Sequence, residues 1–187
     1  MQKIMFNDRY GLTNAVIEGR KTMTRRLIPD EFFGLTWDTR GNTLVYENEY
    51  GDFIDVRHSK YTRYKLGEVV AVSQCYNDVV QEFTDLAFVP GSTNKMFVRA
   101  DLMPHQIRIT GIRCERLQDI SEEDCMKEGI LGDVEYDKYE VYGLFGNSDD
   151  GFDTPREAFA SLIDKVSGRG TWKRNPWVVA YEFELVK

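Results

Sequence analysis

Strand-like runs recur along almost the whole chain, each cut short by a Gly, Pro, Asn or Asp turn, and helical spacing surfaces only briefly between them. That alternation excludes a helical bundle and a repeat solenoid and calls for a sheet with a few covering helices. Residues 69–72, Val-Val-Ala-Val, follow the turn Lys65-Leu66-Gly67-Glu68 and are apolar throughout, which predicts a central strand. Residues 3–6 predict a first strand, and residues 22–28 a second that stops at Pro29-Asp30. Residues 96–100, 107–117 and 177–186 read as three further strands, the last closing the sheet. Residues 32–60 predict a hairpin insertion, with turn signals at Arg40-Gly41-Asn42 and Gly51-Asp52.

The helical stretches are short. Residues 10–18 carry Leu12, Ala15 and Val16 at helical spacing and stop at Gly19. Ser121-Glu122-Glu123-Asp124 opens a second helix in capping-box fashion, ending near Gly129. Thr154-Pro155 opens a third, with Phe159, Leu162, Ile163 and Val166 as its apolar stripe. Residues 167–172 read as a loop, and residues 132–153, rich in Gly, Asp and Tyr, as a long loop excursion. Residues 75–95 fit either a helix or a covering loop. The sum is an α+β chain, a mixed β-barrel with a few short helices in a single domain over residues 1–187.

Hydrophobic residues make up 42% of the 187, enough for a sizeable core, so disorder is excluded. The net charge of −7 argues against a protein that coats nucleic acid indiscriminately, because that mode depends on excess Lys and Arg. Nucleic acid would have to meet a local basic patch. Cys75, Cys114 and Cys125 form no CxxC pair, and His58 and His105 lie beside no cysteine. Free thiols are expected, with no metal site and no cofactor. The first residues lack the apolar run of a signal peptide and no stretch reaches the length of a membrane span, so the expectation is a soluble, cytoplasmic protein without membrane contact.

Three segments carry chemistry. In Gly19-Arg20-Lys21-Thr22-Met23-Thr24-Arg25-Arg26, four cations and two hydroxyls fall within eight residues. Strand alternation places Thr22, Thr24 and Arg26 on one face and Met23 and Arg25 on the other. Lys21 sits at the bend, where its stem could swing to the Thr24 side. Arg and Lys suit phosphate or a polarised carbonyl, and a threonine beside a lysine suits an activated nucleophile. The competing explanation is a solvated charge run on an edge strand. In the second segment, Glu122, Glu123 and Asp124 suit a helix start, whereas Glu128 lies at the helix end, where the dipole opposes a carboxylate and invites a nearby cation. The third is Gly168-Arg169-Gly170-Thr171-Trp172-Lys173-Arg174-Asn175-Pro176-Trp177. Here Trp172 could stack a base or plug the core, and Trp177 fits the core.

The element at residues 19–26 resembles the signature of ASCH-domain proteins, in which Gly-x-Lys-Thr follows the first helix. The resemblance extends to phage- and prophage-associated members through Phe6–Thr13 (Phe-Asn-Asp-x-Tyr-Gly-Leu-Thr), Gly67-Glu68, Gly168–Trp172 and Asn175–Val178. It implies a PUA-like barrel with a cleft for RNA or a nucleotide. One small bacterial ASCH enzyme removes the acetyl group of N(4)-acetylcytidine with a Lys, Thr and Glu set, which falls here on Lys21, Thr24 and Glu128. The implied chemistry is amide hydrolysis: Thr24 attacks the carbonyl or orients water, Lys21 takes the proton, and Glu128 positions Lys21 or passes a proton to the leaving amine. Arg20, Thr22, Arg25, Arg26 and Trp172 are the implied ligand-binding residues, Arg26 or backbone donors holding the oxyanion. Relatives often carry an Arg-Glu pair at the end of the central strand, where this chain has Ser73-Gln74. The alternatives are a non-catalytic module for RNA or a modified nucleotide, and a phage accessory protein acting through a protein partner.

Overall fold

The computed structural model describes residues 1–29, 34–79, 93–133, 137–144 and 151–186. Its centre is a five-stranded sheet built from β1 (Lys3–Ile4), β2 (Met23–Leu27), β6 (Val69–Val72), β7 (Gln106–Arg116) and β10 (Trp177–Leu185), in the order β1-β6-β7-β10-β2. β1 pairs parallel with β6 and the other neighbours pair antiparallel. β1 and β2 are the two edges, so the described strands form an open mixed sheet, and with the helices an α+β fold.

The apolar run of β6 lies inside the sheet, between β1 and β7, and Val70, Ala71 and Val72 are fully buried. Helix α4 (Pro155–Ser167) starts where Thr154 accepts a hydrogen bond from the Glu157 amide at 3.1 Å. It buries Ala158, Phe159, Leu162 and Ile163 in the same core as Ile107, Ile109, Tyr181 and Phe183. Burying Phe159, Leu162 and Ile163 contributes about 1.5–3 kcal/mol each before ordering entropy is subtracted. Two shorter helices flank the sheet, α1 (Leu12–Ile17) and α3 (Glu122–Lys127), the latter capped by Ser121 accepting from the Asp124 amide.

Within residues 32–60, of which 32 and 33 lie outside the described residues, three strands form a separate antiparallel sheet: β3 (Thr36–Asp38), β4 (Thr43–Glu47) and β5 (Phe53–Asp55). It docks on the main sheet by stacking Trp37 on Trp177, ring centroids 5.8 Å apart and nearly parallel.

Two local expectations are corrected. Residues 96–100 form no strand, because their carbonyls are taken by side chains: Lys3 Nζ donates to the carbonyls of Met96 and Val98, both at 2.6 Å, and a 3-10 turn follows at Ala100–Leu102. Residues 167–172 are not wholly loop. The Asp164 carboxylate accepts from the amides of Gly170 and Trp172, at 2.9 and 2.7 Å, and starts the short helix α5 (Thr171–Arg174). In the 132–153 excursion, β8 (Leu131–Asp133) pairs with β9 (Lys138–Glu140), while residues 134–136 and 145–150 lie outside the described residues. So do residues 80–92, most of the stretch left open between helix and loop, whose described start forms one helical turn, α2 (Tyr76–Val79). No described helix is long and apolar enough to cross a membrane.

Candidate functional site

Two glycines bring residues 107 apart in sequence into contact. Gly19, at φ +74°, ends α1 and turns the chain so that the Lys21 amide donates to the Ala15 carbonyl at 2.8 Å and the Thr22 amide to the Lys127 carbonyl at 2.9 Å. Gly129, at φ +99°, lets the end of α3 close on that bend. A Cβ there would lie 3.5–3.6 Å from Leu12, Ala15 and Lys21, in a conformation that L residues rarely adopt. Lys21 Nζ then donates to the Glu128 carbonyl at 2.7 Å and to Glu128 Oε2 at 2.6 Å, and both side chains are buried.

The register of the sheet supplies the rest. Ala180 on β10 lies opposite Arg25 on one side and Arg113 on the other, so both guanidiniums leave the same face over a small residue. Arg25 donates to Glu128 Oε1 at 3.1 Å, to Glu115 Oε1 at 2.7 Å and to Asp124 Oδ2 at 3.1 Å. Arg113 reaches Glu115 at 2.8 Å, Asp124, and Glu182 at 2.5 Å. Lys21, Arg25 and Arg113 thus interlock with Glu115, Asp124 and Glu128, and Arg113 extends the network to Glu182. The carboxylate at the end of α3, opposed by the helix dipole, is held by two cations.

Burial pushes the Lys21 ammonium below its ordinary pKa; Glu128 pulls back, and the charges of Arg26 and Arg25 add to the depression. Burial also works against the charge of Arg25, but Glu128 and Glu115 outweigh it and raise the guanidinium further.

Beside the pair lies a cavity of about 250 Å³, lined by Lys21, Thr24, Arg25, Arg26 and Glu128 at its polar end and by Phe6, Leu12, Phe159 and Leu162 at its apolar end. The volume lies a little below the roughly 300–1,000 Å³ of drug-sized sites, which suits one flat heterocycle. Phe6 lies 5.8 Å from both Lys21 Nζ and the Arg26 guanidinium. An ammonium has three donors. Lys21 directs two at Glu128, which leaves one for a ligand.

The structure therefore brings Lys21, Thr24 and Glu128 to one cavity, with Arg25 and Arg26. Strand alternation puts Met23 and Arg25 with Lys21, and the Arg25 guanidinium meets Met23 Sδ at 3.1 Å. The Lys21 stem turns to Glu128 rather than across to Thr24. Thr24 still lines the cavity, because β2 is the sheet edge and the cavity wraps around it. The other expected residues lie elsewhere. Arg20 is exposed and pairs with Glu18 at 2.5 Å. Thr22 is outside the lining, its carbonyl taken by the Phe183 amide at 2.9 Å. Trp172 is also outside it, packed edge-on against Phe159 at 6.1 Å and under Arg156 at 5.1 Å. Sequence reasoning missed Phe6, Glu115, Asp124 and Arg113. The alternate spacing of Arg113 and Glu115 on a predicted strand was the signal available for two of them.

No family model matches the chain, and no curated protein does. Among solved structures, the crystal structure of an ASCH domain from Lactobacillus crispatus JV V101 is similar at 12% sequence identity, over 94% of this chain and 70% of that one, with a TM-score of 0.36.

Proposed function

We propose that this chain is an ASCH-type protein that takes the base of RNA or of a nucleotide into the Lys21 cavity and hydrolyses an N-acyl group from it, with N(4)-acetylcytidine as the model substrate. The observation that carries the reading is the buried Lys21–Glu128 pair, 2.6 Å apart, at the polar end of a cavity that Thr24 also lines. A buried lysine with a lowered pKa gives up its own proton more readily and is more available as a base than a free one.

In the proposed reaction the Thr24 hydroxyl gives its proton, relayed by a water molecule, to neutral Lys21 and its oxygen bonds to the acyl carbon. The carbon–nitrogen bond breaks as Lys21 passes that proton to the leaving exocyclic amine. Water then attacks the Thr24 ester, again losing a proton to Lys21, and the acid departs as Thr24 recovers its hydroxyl. Glu128 holds Lys21 in place, and its divided attachment to Arg25 weakens its hold on the ammonium proton. Arg26, which lines the cavity, faces the charge that develops on the acyl oxygen.

The test is cytidine release from N(4)-acetylcytidine, followed by chromatography, for wild type and Thr24→Val. The reading expects turnover by wild type and a loss of at least about 100-fold in the variant. Ligand binding without release by either protein would leave the non-catalytic module. Equal release by both would remove Thr24 from the chemistry.

A further inference from the structure

On the far side of Arg26 the chain carries a motif that the cavity does not use. Residues 57–65 read Arg-His-Ser-Lys-Tyr-Thr-Arg-Tyr-Lys, with no carboxylate, in a protein of net charge −7. They border a groove of about 640 Å³ whose lining includes Lys3, Arg26, Lys60, Tyr61 and Arg63. Arg26 also lines the Lys21 cavity, together with Met5 and Leu27, so the groove and the cavity adjoin across these three residues. The cations here are held by carbonyls and ring faces. Lys3 donates to the Met96 carbonyl and Arg26 to that of Met5, at 2.6 and 2.7 Å. Lys60 Nζ lies 5.3 Å from the Tyr61 ring centre, and the Arg63 guanidinium 5.6 Å from that of Tyr64. Among the described residues none of Lys3, Arg26, Lys60 and Arg63 pairs with a carboxylate, whereas Lys21, Arg25 and Arg113 all do.

We propose that this groove binds the sugar–phosphate backbone of a single-stranded nucleic acid, so that the base entering the Lys21 cavity arrives as part of a strand. The proposal rests on the reading of that cavity as a base pocket. Cations that face no carboxylate along a groove can neutralise successive phosphates without regard to sequence. Of these cations a free nucleoside in the cavity would meet only Arg26. The volume of the groove exceeds that of the cavity by more than twofold, which fits a flanking segment of strand rather than a second base pocket.

The test is fluorescence anisotropy with a labelled, unacylated single-stranded RNA of about ten nucleotides, over a salt series. Wild type is expected to bind at low salt. The exposed pair Lys60→Gln with Arg63→Gln is expected to lower the slope of log affinity against log salt by about 1.4, two phosphate contacts at roughly 0.7 each. The control pair, Lys165→Gln with Arg169→Gln, removes the same charge at the exposed end of α4 and is expected to bind as wild type does. An equal loss in the control, or no strand binding by wild type at low salt, overturns the proposal. Because the probe lacks an acyl group, absent hydrolysis with groove-dependent binding sinks only the amide chemistry. Cytidine release without strand binding sinks only the groove.

Discussion

Replacing Glu128 by Gln keeps the shape of the side chain and removes the one charge shared by Lys21 and Arg25. Arg25 retains Glu115 and Asp124, but Lys21 is left with the carbonyl of residue 128 and a neutral amide. Leaving one partner of a buried pair uncompensated costs about 3–5 kcal/mol. For a chain of this length that corresponds to a fall in Tm of about 6–20 °C. The penalty has a pH signature. The folded-state pKa of Lys21 lies below its unfolded value, so between the two the unfolded chain binds more protons and stability rises with pH. Removing Glu128 removes the influences that hold this pKa up and lowers it further. The deficit against wild type is therefore largest at low pH and shrinks as pH rises through the wild-type folded value. Adding Lys21→Met should restore most of the loss and abolish the pH dependence of the deficit. Urea unfolding followed by tryptophan fluorescence, at matched pH for all variants, measures both. A Glu128→Gln protein within about 1 kcal/mol of wild type at pH 7, or a deficit that grows with pH, would refute the reasoning.

Two further outcomes follow from the same structure. Burial raises the thiols of Cys114 and Cys125 to about 12, from 9.0. Between those values the unfolded chain loses thiol protons that the folded chain keeps, so stability falls as pH rises, by about 2 kcal/mol per cysteine at about pH 10.5. Alanine at both positions should flatten that slope in urea titrations, and an unchanged slope would place the alkaline sensitivity elsewhere. Gly129→Ala should cost about 1–3 kcal/mol, because its φ of +99° strains any L side chain. Cytidine release should drop with it, since the same turn aligns Glu128 with Lys21.

Much of the frame was legible because local chemistry and packing agree. Ser121 and Thr154 cap the helices that their sequences announce, and the apolar run at residues 69–72 is the buried strand it describes. The Glu128 argument was legible for the same reason: a carboxylate at a helix end needs a cation. What escaped depends on cross-strand register, which local patterning does not carry. Nothing near Arg25 in sequence indicates that Ala180 sets it level with Arg113, or that Asp124 spans both. The open sheet edge likewise lets Thr24 and Lys21 line one cavity although alternation separates them. Trp172, open in the sequence between stacking a base and plugging the core, packs against Phe159, and Asp164, eight residues earlier, ties its backbone down.

The central claim is that the Lys21 cavity, and not the larger depression lined by Arg57, His58 and Lys65, receives the base. Backbone amide shifts recorded during titration of the labelled protein with N(4)-acetylcytidine test it directly. The account predicts the largest changes at residues 21–26 and 128–129, absent in Lys21→Met. Changes confined to residues 57–65, or none at saturating nucleoside, would contradict it.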